Sequence, residues 1–450
     1  MHSEALSRGL KPRHVQFIAL GGIIGSGYFL GNGIVIQKSG PSIFLAYILG
    51  GLIVQAVMFS LGELAVARPT AGSFLHFAKE FISPTWACGV GWSYWMTWVS
   101  YVPSEMIAGG FIMNMFFPLV SQFIWAFIFG IIITIINLFQ VSSFGETEFW
   151  LSILKILAII LFSIIAIYTL IYDNIFSTTN HLLISNIDWF PNGYSKLFFT
   201  MIIILVNFQG TELIGLSAGE SQNPEISIPI AVKNVTRRII FLYVVPILLL
   251  VLIFPIEKIS SESSPFADAL LFHNYKWASG LFSFIVITAA ISCSNSGLYG
   301  SSRALYTLAL DGMAPKIFSK LSSNQIPVYS TLFSLAGVWI GLLVYYFVGS
   351  GIYQHLLALS GFSGAIAWIS ISWSQYNFRK ELISTQSELN LKYKAPFFPY
   401  ITLFAIYSQL LTVFLMLFDN ELIWSLYIGL PILLLPMLFY RIYNHIKYKS

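Results

Sequence analysis

Apolar runs of about 20 residues, long enough for an α-helix to cross a bilayer, recur along nearly the whole of this 450-residue chain. In hydrocarbon no water replaces a broken backbone hydrogen bond, so such runs must keep their own ladders intact. Only 9% of the residues are charged and 57% are hydrophobic, where soluble domains carry about 25% charged residues. The expectation is one polytopic, all-α membrane domain with no soluble domain of useful size. The polar, basic first fourteen residues and the long glycine-rich stretch after them do not read as a cleavable signal peptide. Cys88 and Cys293 fall at or in the predicted spans, are not expected to pair, and have no metal-ligand neighbour. The net charge of +4 reflects loop lysines and arginines that set topology and does not imply nucleic acid.

The pattern predicts twelve spans, over residues 14–36, 41–67, 86–117, 122–140, 149–172, 195–218, 236–254, 277–309, 327–347, 352–377, 399–418 and 422–440. With the N-terminus inside, only Lys38, Lys196, Lys258 and Lys276 of the 23 lysines and arginines fall on the outer side. That asymmetry places both termini in the cytoplasm and favours an even number of spans across a cell membrane.

Two spans contain residues that a membrane helix has little reason to carry. The first holds Gly21-Gly22-Ile23-Ile24-Gly25-Ser26-Gly27, and the sixth holds Asn207-Phe208-Gln209-Gly210-Thr211-Glu212. Irregular backbone at that depth is tolerated where it lines a cavity, and interruptions in corresponding positions of two halves mark a transporter site. Breaks in spans 1 and 6 fit two five-span repeats of opposite topology, followed by an accessory pair. The predicted organisation is a cytoplasmic segment 1–13, a first repeat 14–172, a second repeat 195–377 and an accessory pair 399–440.

At this point the chain resembles the amino-acid permeases of the amino acid–polyamine–organocation superfamily. The resemblance is carried by Arg8-Gly9-Leu10-Lys11-Pro12-Arg13-His14, Gly25-Ser26-Gly27, Ser60-Leu61-Gly62-Glu63-Leu64-Ala65, Gly72-Ser73-Phe74 and Gly91-Trp92-Ser93-Tyr94-Trp95. Its densest block runs from Phe208-Gln209-Gly210-Thr211-Glu212 through Ala218-Gly219-Glu220 to Ile228-Pro229, and Asn295-Ser296-Gly297 and Asp311-Gly312-Met313-Ala314-Pro315 complete it. The Phe-Gln-Gly-Thr-Glu block is most similar to permeases for basic amino acids, lysine above all. The resemblance implies a LeuT-like fold and uptake of an amino acid with a proton as coupling ion and no other cofactor. Val206 departs from it, standing where lysine-permease relatives place a bulky aromatic gate. Gln222-Asn223 and Ile230 depart at positions that relatives fill with an acidic pair and a basic residue.

The residues suit that chemistry. Around Ile23, Gly25, Ser26 and Gly27, a half-helix beginning near Tyr28 would present its positive N-terminal end and free N–H groups at Ser26 and Gly27 to a substrate carboxylate. Glycines there also permit close helix packing. Unwinding from Asn207 through Phe208 to Gly210 would free carbonyls for an α-ammonium. Glu212, near the bilayer midplane, should face a cavity or a partner. It either changes protonation or meets a cationic substrate, or it is bonded permanently to unwound backbone. Glu105 follows Pro103 in span 3 and lines a side-chain pocket or bonds within the bundle. Asn295 and Ser296 on span 8 are candidates for further polar contacts. Glu63, close to Arg68, reads as a structural ion pair or gate, and Trp92, Trp95 and Trp98 as packing aromatics. In proton-coupled relatives a lysine at the position of Lys155 stands where sodium-coupled relatives bind an ion, so the resemblance assigns Lys155 to proton coupling, with Glu212 beside it. Its ammonium could otherwise snorkel to the interface.

Carboxylates at Glu105 and Glu212 favour a cationic amino acid such as lysine. A protonated carboxyl at either position would leave a neutral amino acid open. An ion channel, the distant alternative, calls for a repeated charged or carbonyl ring, and an intramembrane enzyme calls for a nucleophile–base pair or metal cluster. The seven scattered histidines supply neither. The sequence does not fix the oligomeric state.

Overall fold

The computed structural model describes residues 23–70, 72–139, 144–176, 187–217, 224–322, 326–386 and 391–447. The N-terminal segment 1–13, Gly21, Gly22 and the block from Ala218 to Asn223 lie outside them. Every regular element among the described residues is helical. The longer helices are α1 (Asn32–Ser39), α2 (Ile43–Ala67), α3 (Ser73–Phe81), α4 (Pro84–Phe116), α5 (Gln122–Phe139) and α6 (Phe144–Phe176). Three short helices follow, α7 (Tyr194–Phe199), α8 (Met201–Val206) and α9 (Leu213–Ser217). The rest are α10 (Pro224–Ile239), α11 (Val245–Ile253), α12 (Pro265–Phe272), α13 (Lys276–Leu310), α14 (Val328–Val348), α15 (Ile352–Ser384), α16 (Tyr400–Leu415) and α17 (Ile423–Lys447).

Among the described residues seven helical stretches are long and apolar enough to cross a membrane. An eighth is formed if Ile228–Val235 and Arg237–Ile253, bent by 41°, count as one span. Helix α4 is not among them because serines, threonines and Glu105 punctuate its sequence, although it is the hub on which α13, α15, α5 and α17 all pack. It runs unbroken through Pro103, whose ring lies against α14 (a Cβ on Gly341 would stand 2.6 Å from it). Small residues let the bundle close: Gly297 and Gly300 of α13 sit on the Trp98 ring and indole nitrogen, with hypothetical Cβ contacts of 2.6 and 3.0 Å.

The helices divide into an inner and an outer set. The apolar window of α15 is 89% buried, whereas those of α16 and α17 are 28% and 22% buried. The outer helices turn Ile164, Ile171, Leu343, Phe347, Phe414 and Leu438 outward. An apolar surface of that extent is incompatible with water, and a bilayer is the environment that suits it.

Glu63 forms a structural ion pair, as expected, but with Arg379 and not with the nearby Arg68. Glu63 is fully buried and accepts from Arg379 Nε at 2.7 Å, Gln375 Nε2 at 3.0 Å and the Ala395 amide at 2.6 Å. Arg68 turns to Glu80. Arg379 lies more than 300 residues from Glu63, so no local spacing could have revealed the pair. A buried carboxylate needs a cation that is itself enclosed, and Arg379 is enclosed while Arg68 is half exposed.

Candidate functional site

Helical hydrogen bonding fails first at Ile24 and Gly25 and resumes as a wide π turn over Gly27–Gly31. The amides of Tyr28 and Phe29 both reach the Gly25 carbonyl, at 3.2 and 3.3 Å. The Ser26 amide, expected to be free, instead donates to both oxygens of Glu105 at 2.9 Å each. Glu105 thereby puts a carboxylate where a substrate carboxylate was expected. The fit is close: a Cβ on Gly25 would run into the Glu105 carboxylate, with Tyr101 Oη at 2.7 Å and Cys293 Sγ at 2.9 Å. Only glycine admits this approach.

The second interruption separates α8 from α9. From Asn207 to Gly215 the backbone bonds mostly three residues back, including Asn207 N to Ile204 O (3.1 Å), Gln209 N to Val206 O (3.0 Å) and Leu213 N to Gly210 O (3.1 Å). Gly210 takes φ +105°, a conformation costly for any residue with a Cβ. The predicted release of carbonyls is therefore limited. The Asn207 carbonyl accepts from Tyr243 Oη at 3.1 Å and the Phe208 carbonyl from Thr211 Oγ1 at 3.0 Å. Glu212 folds back on its own turn, accepting the Gly210 amide at 3.0 and 3.1 Å, Tyr94 Oη at 3.1 Å and Trp368 Nε1 at 3.1 Å. Gln209 ties the turn to α15 by exchanging bonds with Ser360, at 3.0 and 2.8 Å. The Phe-Gln-Gly-Thr-Glu block thus builds a rigid loop: ring, tether, left-handed turn and carboxylate clasp.

The two interruptions face one another. A Cβ on Gly27 would stand 2.6 Å from Asn207 Oδ1 and 3.2 Å from Tyr101 Oη. Asn207 is fully buried, and among the described residues its Oδ1 has no hydrogen-bond partner. A buried acceptor without a donor is costly. Its Nδ2 donates to Tyr47 Oη at 2.6 Å, which donates to Asn32 Oδ1 at 2.7 Å, and Asn32 Nδ2 donates to the Tyr28 carbonyl at 2.6 Å. This chain ties both interruptions to α2 and holds the acceptor in place.

A third cluster lies on α6 and α13. Lys155 is fully buried and interacts electrostatically with Glu148, Glu105 and Cys293. Glu148 accepts from Ser292 Oγ at 2.6 Å and Asn295 Nδ2 at 3.3 Å. Of the predicted residues, Ile23, Gly25, Ser26, Gly27, Glu105, Asn207, Phe208, Gly210 and Glu212 gather at the two interruptions. Asn295 is drawn to Glu148, and Ser296, next to it in the chain, is buried. Lys155 does not snorkel outward. Trp98, Trp95 and Trp92 pack as expected, Trp95 donating to Ser334 at 3.1 Å and Trp92 to the Met313 carbonyl at 3.2 Å.

Sequence reasoning missed Glu148, Tyr47, Asn32, Tyr101, Tyr94 and Trp368. Glu148 had a signal: it precedes Lys155 by seven residues, two helical turns on one face. The aromatic partners had none, because the chain is rich in tyrosine and tryptophan throughout. A large cavity of about 850 Å³ between the Asp311–Lys316 loop and the end of α17 holds none of these residues.

Buried polar groups at the centre and an apolar exterior define a multi-pass membrane protein organised around an internal site. Residues 14–448 match the family described as Amino acid permease, and the chain belongs to that family. It is 35% identical to "Amino-acid permease RocC" of Bacillus subtilis, with 98% of this chain and 95% of that protein covered. It is 34% identical to "Lysine-specific permease LysP" of Escherichia coli over 98% of this chain and 94% of that one. It is also 34% identical to "Probable threonine/serine transporter YbxG" of B. subtilis, over 99% and 96% respectively. Among solved structures, a manganese transporter of Eremococcus coleocola superposes with TM-score 0.59 at 12% identity, covering 96% of this chain and 94% of that one. The family is one of transporters and not of enzymes.

Proposed function

We propose that this permease carries an amino acid across its membrane by alternating access together with a proton, and that its substrate is cationic, such as lysine. The reading takes the two interruptions as the unwound centres of spans 1 and 6 in a twelve-span, LeuT-like arrangement with both termini in the cytoplasm. The observation that carries it is the meeting of the Gly25–Gly27 bend with the Asn207 turn, where the Ser26 amide can hold an anion and Asn207 Oδ1 can accept from an ammonium. Such a pair reads the zwitterion and leaves the side chain to its surroundings. Lys155 supports proton coupling because it is fully buried and interacts electrostatically with two carboxylates, so that gaining or losing one proton changes both interactions. The membrane potential contributes about 2.3 kcal/mol per charge per 100 mV, twice over for a cation moving with a proton.

The cationic preference is supported by the resemblance of the Phe-Gln-Gly-Thr-Glu block and by the similarity to LysP. A neutral substrate, with uptake or exchange, is favoured instead by the state of Glu212: its partners come from its own turn, Tyr94 and Trp368, which leaves Glu105 as the remaining carboxylate at the interruptions. The test is uptake into proteoliposomes with an imposed pH gradient, for a panel of amino acids with the native chain, Lys155→Ala and Glu212→Gln. The expected result is gradient-driven lysine accumulation that Lys155→Ala uncouples from pH. Lysine that neither accumulates nor competes with another amino acid ends the cationic reading, and accumulation indifferent to the gradient ends the proton reading.

A further inference from the structure

The Ser26 amide is a single donor, and Glu105 already holds it with both oxygens at 2.9 Å. Resting on the amino-acid reading of this site, we infer that Glu105 is an internal competitor for the substrate carboxylate. Binding displaces the Glu105 carboxylate from the Ser26 amide and turns it toward Lys155.

Three features lead there. The two carboxylates are chemically equivalent to the amide, and the space admits one: around Gly25, the Glu105 carboxylate, Tyr101 Oη and Cys293 Sγ already press on the position a Cβ would take. The acceptor half of the site is not engaged in the same way. Asn207 Oδ1 is buried and partnerless among the described residues, and it faces Gly27, the residue next to Ser26, whose amide Glu105 holds. An α-ammonium on Asn207 therefore brings its own carboxylate to Ser26. Lastly, Lys155 acts electrostatically on both Glu105 and Glu148, so a Glu105 released from Ser26 has a cation to meet. Substrate arrival thereby becomes an exchange of ionic partners, through which occupancy of the interruptions is felt at Lys155.

The experiment measures equilibrium binding of lysine, serine and their α-carboxamides to the purified full-length chain and to Glu105→Gln, with melting temperatures recorded in parallel. Glutamine keeps an acceptor for the Ser26 amide and removes the negative charge. A competitor that leaves about one site in ten free weakens apparent affinity about tenfold, and removing its charge returns much of that factor. The expected result is that Glu105→Gln binds lysine or serine several-fold more tightly. The preference for the free acid over its amide should widen, since only the acid is repelled by Glu105. Unchanged or weaker binding of both amino acids by a normally melting Glu105→Gln overturns the inference. So does weakening confined to lysine, which would place Glu105 at the substrate side chain. A wild type that binds no amino acid overturns the functional reading and this inference together, whereas a wild type that binds while Glu105→Gln fails to tighten removes this one alone. Glu105→Ala adds an arm that needs no substrate: sodium acetate should raise its melting temperature where sodium chloride of equal ionic strength does not. An acetate effect no larger than that of chloride would show that the Ser26 amide is not an anion-holding position.

Discussion

Glu105 and Glu212 are both buried carboxylates beside interrupted helix, and they are held in opposite ways. Glu212 is clasped by its own turn: the Gly210 amide lies two residues away, and Tyr94 and Trp368 close over it from α4 and α15. Glu105 reaches 79 residues back along the chain to one amide on a different segment. The Gly210 bonds of the first arrangement persist whatever the neighbouring helices do, because the loop and its carboxylate move together. The second lasts only while the span 1 bend stays against α4. A carboxylate fastened to its own turn defines local structure, whereas one held by a tyrosine of its own helix and a single distant amide can exchange that amide.

The largest expected effect tests the clasp. Glu212→Ala leaves the Gly210 amide, the Tyr94 hydroxyl and the Trp368 indole without an acceptor, at about 1–3 kcal/mol each. The melting temperature should fall by many degrees and uptake should vanish with it. A Glu212→Ala protein melting within about 2 °C of wild type would break the contrast at its stronger side.

Next comes Gly25→Ala. The added methyl collides with the Glu105 carboxylate, Tyr101 and Cys293, an overpacking that costs about 1–3 kcal/mol. It either drives Glu105 off the Ser26 amide or pushes the bend off α4. Binding of amino acids should drop at least as sharply as stability. Preserved binding with lowered stability would show that the bend is packing and nothing more.

A finer discrimination comes from matched glutamines. In Glu212→Gln the new amide hydrogens face the Gly210, Tyr94 and Trp368 donors, so stability falls by about 1–3 kcal/mol. In Glu105→Gln one oxygen still accepts from Ser26, so the melting temperature stays near wild type. Equal losses in the two variants would erase the distinction.

How far the sequence showed this site depends on how far each partner lies along the chain. The interruptions were legible because glycines and a polar run inside an apolar span violate the local rule for membrane helix. That Glu105 and Glu212 would be enclosed followed from their depth, whereas Lys155 was set inside by the resemblance alone, against the alternative of snorkelling to the interface. What they touch did not follow, since each partner arrives through helix packing. Ser26 meets Glu105, Trp368 meets Glu212, and Arg379 meets Glu63 across separations that no periodicity encodes. The Ser26 amide was identified as a donor for an anion. That the chain would supply the anion itself was outside what one segment could reveal. For the same reason, freed carbonyls were expected around Asn207 where three-residue turns consume most of them.

The smallest effect provides a surface control. Glu421, in the connection between α16 and α17, pairs with Lys38 and accepts from Gln354 Nε2 at 2.6 Å. The hydrogen bond from Lys38 holds its carboxyl below the ordinary value, which is about 4.3 in an unfolded chain. A depressed carboxylate lends stability that is complete above the unfolded value and is lost as pH falls through the lower folded one. Both side chains are partly exposed, so the contribution stays under about 1 kcal/mol and shrinks further in salt. Lys38→Met should therefore flatten a shallow loss of melting temperature below about pH 4.5, with little change at neutral pH. Uptake at neutral pH should be untouched, unlike that of any variant at Glu105 or Glu212. If Lys38→Met abolished uptake at full stability, this surface pair would have to count as part of the working site, and depth in the bundle would no longer separate the carboxylates that act from those that only hold.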